Sequence, residues 1–67
     1  MSQKKISLCV LEEVRPGENI AVYENLEREG TYEIIHDPNT IEYLSTQVDE
    51  GYCVEIDTEN NQIVGGN

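Results

Sequence analysis

The sequence predicts a small α+β domain in which one or two helices pack on a single sheet, in the order β-α-β-α-β-β. Several short segments alternate apolar and polar residues as strands do, and one segment carries apolar residues at helical spacing after an Asp-Pro start. The length of 67 residues fits one domain, 1–67. If the first helix is instead a hairpin, the fallback is a mostly β fold with one helix, such as a small barrel.

The first strand is predicted within residues 4–14. A strand with apolar residues on both faces is typical of the middle of a sheet. The Pro-Gly dipeptide that follows predicts a turn over residues 15–19. The apolar residues of this strand alternate between its two faces, with Ile6, Leu8 and Val10 on one and Cys9 and Leu11 on the other.

Residues 18–30 allow two interpretations. As a helix, the segment has Asn19 as its N-cap and Gly30 as its stop signal. As strands, residues 19–26 and 31–36 pair through a short turn. Its β-branched and aromatic residues lower the helix propensity, but the Leu-Glu-Arg-Glu-Gly ending is typical of a helix C-terminus, so the helix is favoured.

A second helix is predicted over residues 37–50, after a strand at 31–36. Asp37 is a favourable N-cap and Pro38 suits the first helical position. The acids Asp49 and Glu50 oppose the helix dipole at the predicted C-terminal end, just before Gly51. Three apolar residues recur at helical spacing, namely Ile41, Leu44 and Val48.

A β-hairpin is predicted over residues 52–64. Its strands cover 52–57 and 62–64, and an Asn-rich turn joins them. Residues 65–67 are predicted to form a flexible tail.

Charge is the dominant feature of the composition. Fourteen acidic residues face four basic ones, giving a net charge of −10, and no Lys or Arg follows Arg28. Contacts to nucleic acid and to anionic membranes are made chiefly by Lys and Arg, so both partners are excluded. The expected partner is a basic protein that itself binds nucleic acid.

Other compositional features suggest an ordinary cytoplasmic protein. No apolar run reaches membrane-spanning length and no signal-peptide pattern is present. The two cysteines form no CxxC pair and are interpreted as small buried hydrophobes. Because the apolar set is thin, with no Trp or Phe, a homodimer is a reasonable expectation.

His36 beside Asp37 could act as an oriented base, but no nucleophile carries a recognisable local signature. We interpret His36 as a strand end and Asp37 as a helix cap. No glycine-rich phosphate loop is present. The sequence therefore predicts no enzyme and no cofactor.

Asp57, Glu59 and Asn61 alternate oxygen ligands as a calcium loop does. Gln62, however, stands where that loop needs its sharp-turning glycine. The segment is interpreted as a hairpin turn, and no metal site is predicted.

The predicted function is a non-enzymatic inhibitor that occupies the nucleic-acid-binding surface of a basic host protein by DNA mimicry. Acids at alternate strand positions lie about 6–7 Å apart, near the spacing of successive phosphates along one strand. In size and charge the chain resembles the small acidic decoys that bacteriophages use against host DNA-binding proteins. The alternative is a small acidic interaction subunit or adaptor that docks on a basic protein face without mimicry.

Seven acids in the part of the chain that lacks basic residues are the predicted partner contacts. Tyr43, beside Glu42, is added because a tyrosine among carboxylates suits an Arg-rich partner through cation–π contact. The full predicted set is Glu33, Glu42, Tyr43, Asp49, Glu50, Glu55, Asp57 and Glu59.

Overall fold

The computed structural model describes residues 5–66 and shows, within them, one antiparallel sheet of five strands and one α-helix. The mostly β fallback is therefore the correct fold class, and the order β-α-β-α-β-β is wrong at its second element. In chain order the elements are β1 (Ile6–Arg15), a 3₁₀ turn (Pro16–Glu18), β2 (Ile20–Asn25), β3 (Thr31–Ile35), α1 (Pro38–Ser45), β4 (Cys53–Asp57) and β5 (Gln62–Gly66).

The strands lie in the order β3-β2-β1-β4-β5, so β1 is central, as its apolar residues on both faces predict. Every neighbouring pair is antiparallel, and the two edge strands β3 and β5 consequently run in the same direction. The sheet curls until the side-chain amide of Asn61, just before β5, donates to the backbone carbonyl of Glu33 on β3 at 3.1 Å. We call the gap between these two edges the β3–β5 seam.

One face of the sheet packs against α1 and forms the core. Burying a Leu, Ile or Val side chain stabilises a protein by roughly 1.5–3 kcal/mol, so this contact is what holds the helix on the sheet. We call the opposite side of the sheet the outer face. The buried core cluster consists of Cys9, Leu11, Ala21, Tyr23, Ile41, Leu44, Val54 and Ile56.

The favoured helix over residues 18–30 is wrong, because most of this segment is strand β2. Ala21 and Tyr23 are fully buried and Asn25 is nearly so, which is the two-residue period of a strand. β2 pairs with β1 on one side and β3 on the other. This pairing suits the β-branched and aromatic residues of the segment and outweighs its weak helical signals.

Residues 26–30, whose sequence resembles a helix C-terminus, form a loop between β2 and β3 that is organised by one buried side chain. The Asn25 amide oxygen accepts hydrogen bonds from the backbone N–H groups of Glu27 at 2.7 Å and Arg28 at 2.9 Å. Gly30 closes the loop with a φ of 151°, and a Cβ there would lie 2.8 Å from the Tyr32 hydroxyl. Gly30 is thus needed for a strand connection rather than for a helix stop.

The predicted start of the second helix is confirmed. Asp37 is the N-cap, and its two carboxylate oxygens accept from the backbone N–H of Thr40 at 3.2 Å and the Thr40 hydroxyl at 2.7 Å. Pro38 occupies the first helical position, where its missing N–H costs nothing. His36 lies immediately after β3, as expected for a strand end.

The predicted end of this helix is wrong, because α1 stops at Ser45 and turns occupy residues 46–51. The hydroxyls of Ser45 and Thr46 donate to the backbone carbonyls of Ile41 and Tyr43, at 2.9 and 2.7 Å. Such local hydroxyl bonds compete with a regular helix. Asp49 and Glu50 consequently lie beyond α1, so the predicted conflict with its dipole does not arise.

The C-terminal hairpin is confirmed, with longer pairing than expected. β5 extends to Gly66, so the predicted tail over residues 65–67 is strand at its first two positions. Asn67 lies outside the described residues, as does Lys4, where the first strand is predicted to begin. Within residues 5–66, no helix has the length and apolar character needed to cross a membrane.

Candidate functional site

The predicted partner contacts lie in separate parts of the described surface. Three lie on the outer face of the sheet, four on or just after α1, and one in the β4–β5 turn. All are exposed except Asp57, which is partly buried. The structure does not bring them together on one face. The three groups are Glu33, Glu55 and Asp57; Glu42, Tyr43, Asp49 and Glu50; and Glu59.

Arg15 partly neutralises the acids on one half of the outer face. Its guanidinium lies 3.0 Å from the Glu13 carboxylate on β1 and 3.1 Å from the Glu33 carboxylate on β3. The Arg15 side chain therefore reaches across β2. Val22 on β2 is only 4% exposed, although Val22 lies outside the core cluster. The hydrogen bond to Glu13 and the nearby carboxylates raise the pKa of Arg15 above its usual value. Because Glu33 is already paired, it is a weaker candidate contact than Glu55.

The other half of the outer face presents an apolar patch with acids at its rim. Leu8 on β1 is 39% exposed and Leu26 after β2 is 53% exposed. The Leu26 N–H donates to the Leu8 carbonyl at 2.8 Å, so the two residues are neighbours. Glu55 is the cross-strand partner of Leu8, and the Glu27 carboxylate accepts from the Leu8 N–H at 3.2 Å. We call Leu8, Leu26, Glu27 and Glu55 the Leu8 patch.

The Leu8 patch is not evident from the sequence, for a specific reason. The favoured helix over residues 18–30 would include Leu26, which instead lies in the loop after β2. An apolar centre with a polar rim is the usual arrangement of a protein-binding surface, so this patch is a better candidate than the dispersed acids.

Asp57 has a structural role in the hairpin turn. One of its carboxylate oxygens accepts from the backbone N–H groups of Glu59 at 3.0 Å and Asn60 at 3.3 Å, and the other accepts from the Asn60 amide at 2.9 Å. These bonds close the turn that the Asn-rich segment predicts. Among the residues described, no group of three His, Cys, Asp or Glu side chains is arranged to hold a metal ion.

The two cysteines lie on adjacent strands but on opposite faces of the sheet. Cys9 on β1 is fully buried and pairs across the sheet with Val54, whereas Cys53 on β4 pairs with Val10 and is partly exposed. Both are free thiols. Burial, with smaller contributions from Glu27 and Cys53, raises the pKa of the Cys9 thiol. The buried-hydrophobe interpretation is thus correct for Cys9 and only partly correct for Cys53.

Tyr43 remains 53% exposed and packs edge-on against Tyr52, with ring centroids 6.2 Å apart and an interplanar angle of 78°. Edge-to-face pairs of this kind contribute about 0.5–1.5 kcal/mol beyond the area they bury. The Tyr43 ring therefore lies against Tyr52 at the surface, beside Glu42 in the chain.

A cleft of about 310 Å³ opens between α1 and the core side of the β3–β5 seam. Its surface is mainly apolar. Its polar groups come from the end of β3, the first turn of α1 and two tyrosines. Lining residues include Tyr23, His36, Leu44, Tyr52, Val54 and Ile63.

Tyr23 and His36 form a hydrogen-bonded pair in this cleft. The Tyr23 hydroxyl lies 3.2 Å from His36 Nε2, and the rings meet edge-on with centroids 6.3 Å apart. Burial, with a smaller effect of Tyr52, raises the pKa of Tyr23 to about 12. Burial also lowers the pKa of His36, an effect that the Asp37 carboxylate partly opposes. Both groups are therefore uncharged near neutral pH.

The sequence contained one signal for this pair. Tyr32, Ile34 and His36 continue a two-residue alternation toward the core, past the end of β3. From the sequence alone, His36 is interpreted only as a strand end. The proximity of Tyr23 to His36 depends on β2 being a strand, which the sequence does not favour.

A comparison of the chain with protein-family models, curated proteins and solved structures finds no match to any of them. Function is therefore inferred from the surface and the cleft themselves.

Proposed function

We propose that the protein is a non-enzymatic binding protein that uses its acidic surface to occupy a basic surface of another protein. In its sharper form the proposal is phage-type inhibition by DNA mimicry, in which the partner surface is one that binds nucleic acid. The observation that carries the proposal is the net charge of −10 on a chain whose acids lie largely on ordered strands, turns and a helix.

Ordered carboxylates are better suited to binding than the same charges on a disordered tail, because little conformational entropy is lost when the partner docks. Glu55 lies on a strand that is paired on both sides, next to the exposed apolar side chain of Leu8. Complementary charge speeds association, and the apolar centre supplies surface that binding removes from water. The Leu8 patch is accordingly the proposed centre of the contact.

The charge on the β2–β3 half of the sheet also supports a protein partner. Five-stranded, partly open barrels of the OB type bind oligonucleotides through the face of strands 2 and 3. In this chain that face carries Glu24 and Glu33, and the adjacent Arg15 is already paired with carboxylates. A nucleic acid strand would meet like charges there, without the basic groove that such binding requires.

The alternative, an adaptor that docks without mimicry, is favoured by one observation. The predicted contact acids are spread over the outer face, the helix end and the hairpin turn, and do not follow one line as phosphates do. Both forms predict a basic partner, and they differ in whether that partner can hold DNA at the same time.

A pull-down from bacterial lysate at low and high salt, followed by competition with duplex DNA, tests the proposal. We expect a basic protein that is retained at low salt and lost at high salt. Release of that protein by DNA supports mimicry, and a ternary complex supports the adaptor. A partner that is not basic would contradict both the mimicry and the adaptor proposals.

Charge variants locate the contact on the surface. Glu27→Gln with Glu55→Gln removes two charges at the rim of the Leu8 patch, and Glu42→Gln with Glu50→Gln removes two at α1 and the turn after it. The first pair is expected to weaken binding more than the second. Equal losses would show that only net charge matters.

A further inference from the structure

We propose that the cleft beside α1 is a binding site for a small uncharged aromatic molecule that hydrogen-bonds to His36. The size, the lining and the polar pair of the cleft support this proposal, and the negative charge of the chain adds to the selectivity of the cleft.

The volume of the cleft limits the ligand to one or two rings. At about 310 Å³ it lies at the lower end of the range of roughly 300–1,000 Å³ that ligand pockets span. Leu44 from the helix, Val54 from β4 and Ile63 from β5 supply apolar walls, and the ring of Tyr52 supplies an aromatic one. A flat apolar ring suits such walls.

The Tyr23–His36 pair gives the cleft its polar specificity. Tyr23 is fully buried at the floor, whereas His36 is partly exposed and is the group that an entering ligand reaches. A hydroxyl has one donor and two acceptor positions, and a neutral imidazole has one donor and one acceptor. Their mutual hydrogen bond uses only part of this capacity, so the pair can bind a ligand hydroxyl.

The charges around the cleft select for an uncharged ligand. The net charge of −10 attracts a cation, but the lining contains no carboxylate, Lys or Arg among the described residues, so a cation that entered would lose its hydration without gaining a partner. An anion would also approach against the net charge of −10. A neutral molecule avoids both costs.

The β3–β5 seam supplies a route into the cleft. A second cleft of about 500 Å³ lies along the seam, between Glu33 to His36 on one side and Asn61 to Ile63 on the other. His36 and Ile63 line both clefts, so the two meet at these residues. The edges are held together by the hydrogen bond from Asn61 to Glu33 rather than by strand pairing.

Phenol is a suitable probe, because it combines one ring with one hydroxyl. Titration followed by NMR is expected to give saturable shifts of the Leu44 methyl and His36 ring signals. Benzoate and benzylamine, the charged counterparts, are expected to bind at least tenfold more weakly. Absence of saturable shifts with phenol would overturn the proposal.

Two adjacent residues provide a matched pair of variants. Ile63→Trp fills the cleft, whereas Val64→Trp places the same ring on a side chain that is 51% exposed and does not line it. Ile63→Trp is expected to weaken phenol binding at least tenfold, and Val64→Trp is expected to leave it unchanged. Equal binding by the two variants would show that phenol binds elsewhere.

His36→Leu tests the polar contact and remains decisive if the filled variant does not fold. It is expected to weaken phenol binding severalfold and to leave the binding of toluene, which has no hydroxyl, unchanged. If His36→Leu leaves phenol binding unchanged, or weakens the binding of phenol and toluene equally, His36 is not the recognition group and the proposal fails.

Discussion

Tyr23 is the residue whose chemistry is changed most by the fold. Its ring is fully buried in the core, and burial raises the pKa of its hydroxyl to about 12, against about 10 for a tyrosine in water. The unfolded chain therefore releases this proton first as the pH rises. The neutral Tyr23 hydroxyl therefore makes its whole contribution to the free energy of unfolding below about pH 10. This contribution decreases as the pH rises toward about 12.

Tyrosinate absorbance during an alkaline titration should show a late component from Tyr23. Tyr23→Phe should remove the late component and, through the lost hydrogen bond to His36, cost about 0.5–1.5 kcal/mol of stability. A late component that persists in Tyr23→Phe would assign it to another tyrosine.

His36 makes stability depend on pH on the acidic side. Burial lowers the pKa of the His36 imidazole in the folded protein below about 6.5, the value for a histidine in the unfolded chain. Between these two pKa values His36 is protonated in the unfolded chain and neutral in the folded protein. Stability is therefore full above about pH 6.5 and decreases as the pH falls below it.

Urea unfolding at about pH 7.5 and 5.5 measures this effect, with His36→Asn as the reference. Protonation of carboxylates acts on both proteins, so the difference between them isolates His36. We expect the wild-type protein to lose more stability than His36→Asn over this interval. Equal losses would mean that the folded and unfolded pKa values of His36 coincide.

The single helix within residues 5–66 depends mainly on contacts made by its buried face. With eight residues, α1 is too short to be stable alone. Leu44 is 2% exposed in the core cluster, whereas Glu42 on the same helix is exposed. Leu44→Ala is expected to cost about 2–5 kcal/mol, because it removes buried apolar surface and leaves a cavity.

Chemical denaturation of Leu44→Ala beside Glu42→Ala measures that cost. Glu42→Ala, the control, should change the free energy of unfolding little, because removing an exposed side chain leaves no cavity. If the two variants lose similar amounts, packing by Leu44 is not what anchors α1.

The N-cap of α1 can be tested separately. Asp37→Ala removes the acceptor of both Thr40 hydrogen bonds and should lower the melting temperature, whereas Asp37→Asn keeps a capping oxygen and should lower it less. The same bonds lower the pKa of Asp37, so its stabilising effect should disappear as the pH falls through that lowered value. Identical melting curves for the two variants would exclude a capping role.

Elements with strong local signals were predictable from the sequence. β1, the Asp-Pro helix start and the C-terminal hairpin each depend on neighbouring residues, and each is confirmed. The structure of residues 18–30 was not predictable in this way, because the conformation of the loop depends on Asn25, whose side chain is buried by long-range packing. The early end of α1 depends on hydroxyl bonds of Ser45 and Thr46, which a count of apolar spacing ignores.

The same contrast holds for the candidate sites. The exposure of Glu33 and Glu55 was predictable from strand alternation, but the division of the predicted acids among three parts of the surface was not. The Leu8 patch and the Tyr23–His36 pair bring together residues from different strands or loops. Both require the sheet register, which a single sequence does not specify.

The whole molecule carries its charge in an uneven way. Arg15 lies within 4 Å of three carboxylates, whereas Lys5 and Arg28 make no ion pair of that length within residues 5–66. With a net charge of −10, repulsion among acids opposes the compact state. Added salt shortens the range of that repulsion to about 10 Å at 0.1 M.

The melting temperature is therefore expected to rise between low and moderate salt. Arg15→Gln, which changes the net charge from −10 to −11 and leaves Glu13, Glu18 and Glu33 without their shared cation, should show a steeper rise. Thr31→Gln, an exposed and charge-neutral change, should follow the wild-type slope. Calorimetry across a sodium chloride series measures all three proteins. A flat or falling wild-type curve would mean that repulsion among the acids does not limit stability, because salt would then weaken attraction at least as much as it relieves repulsion.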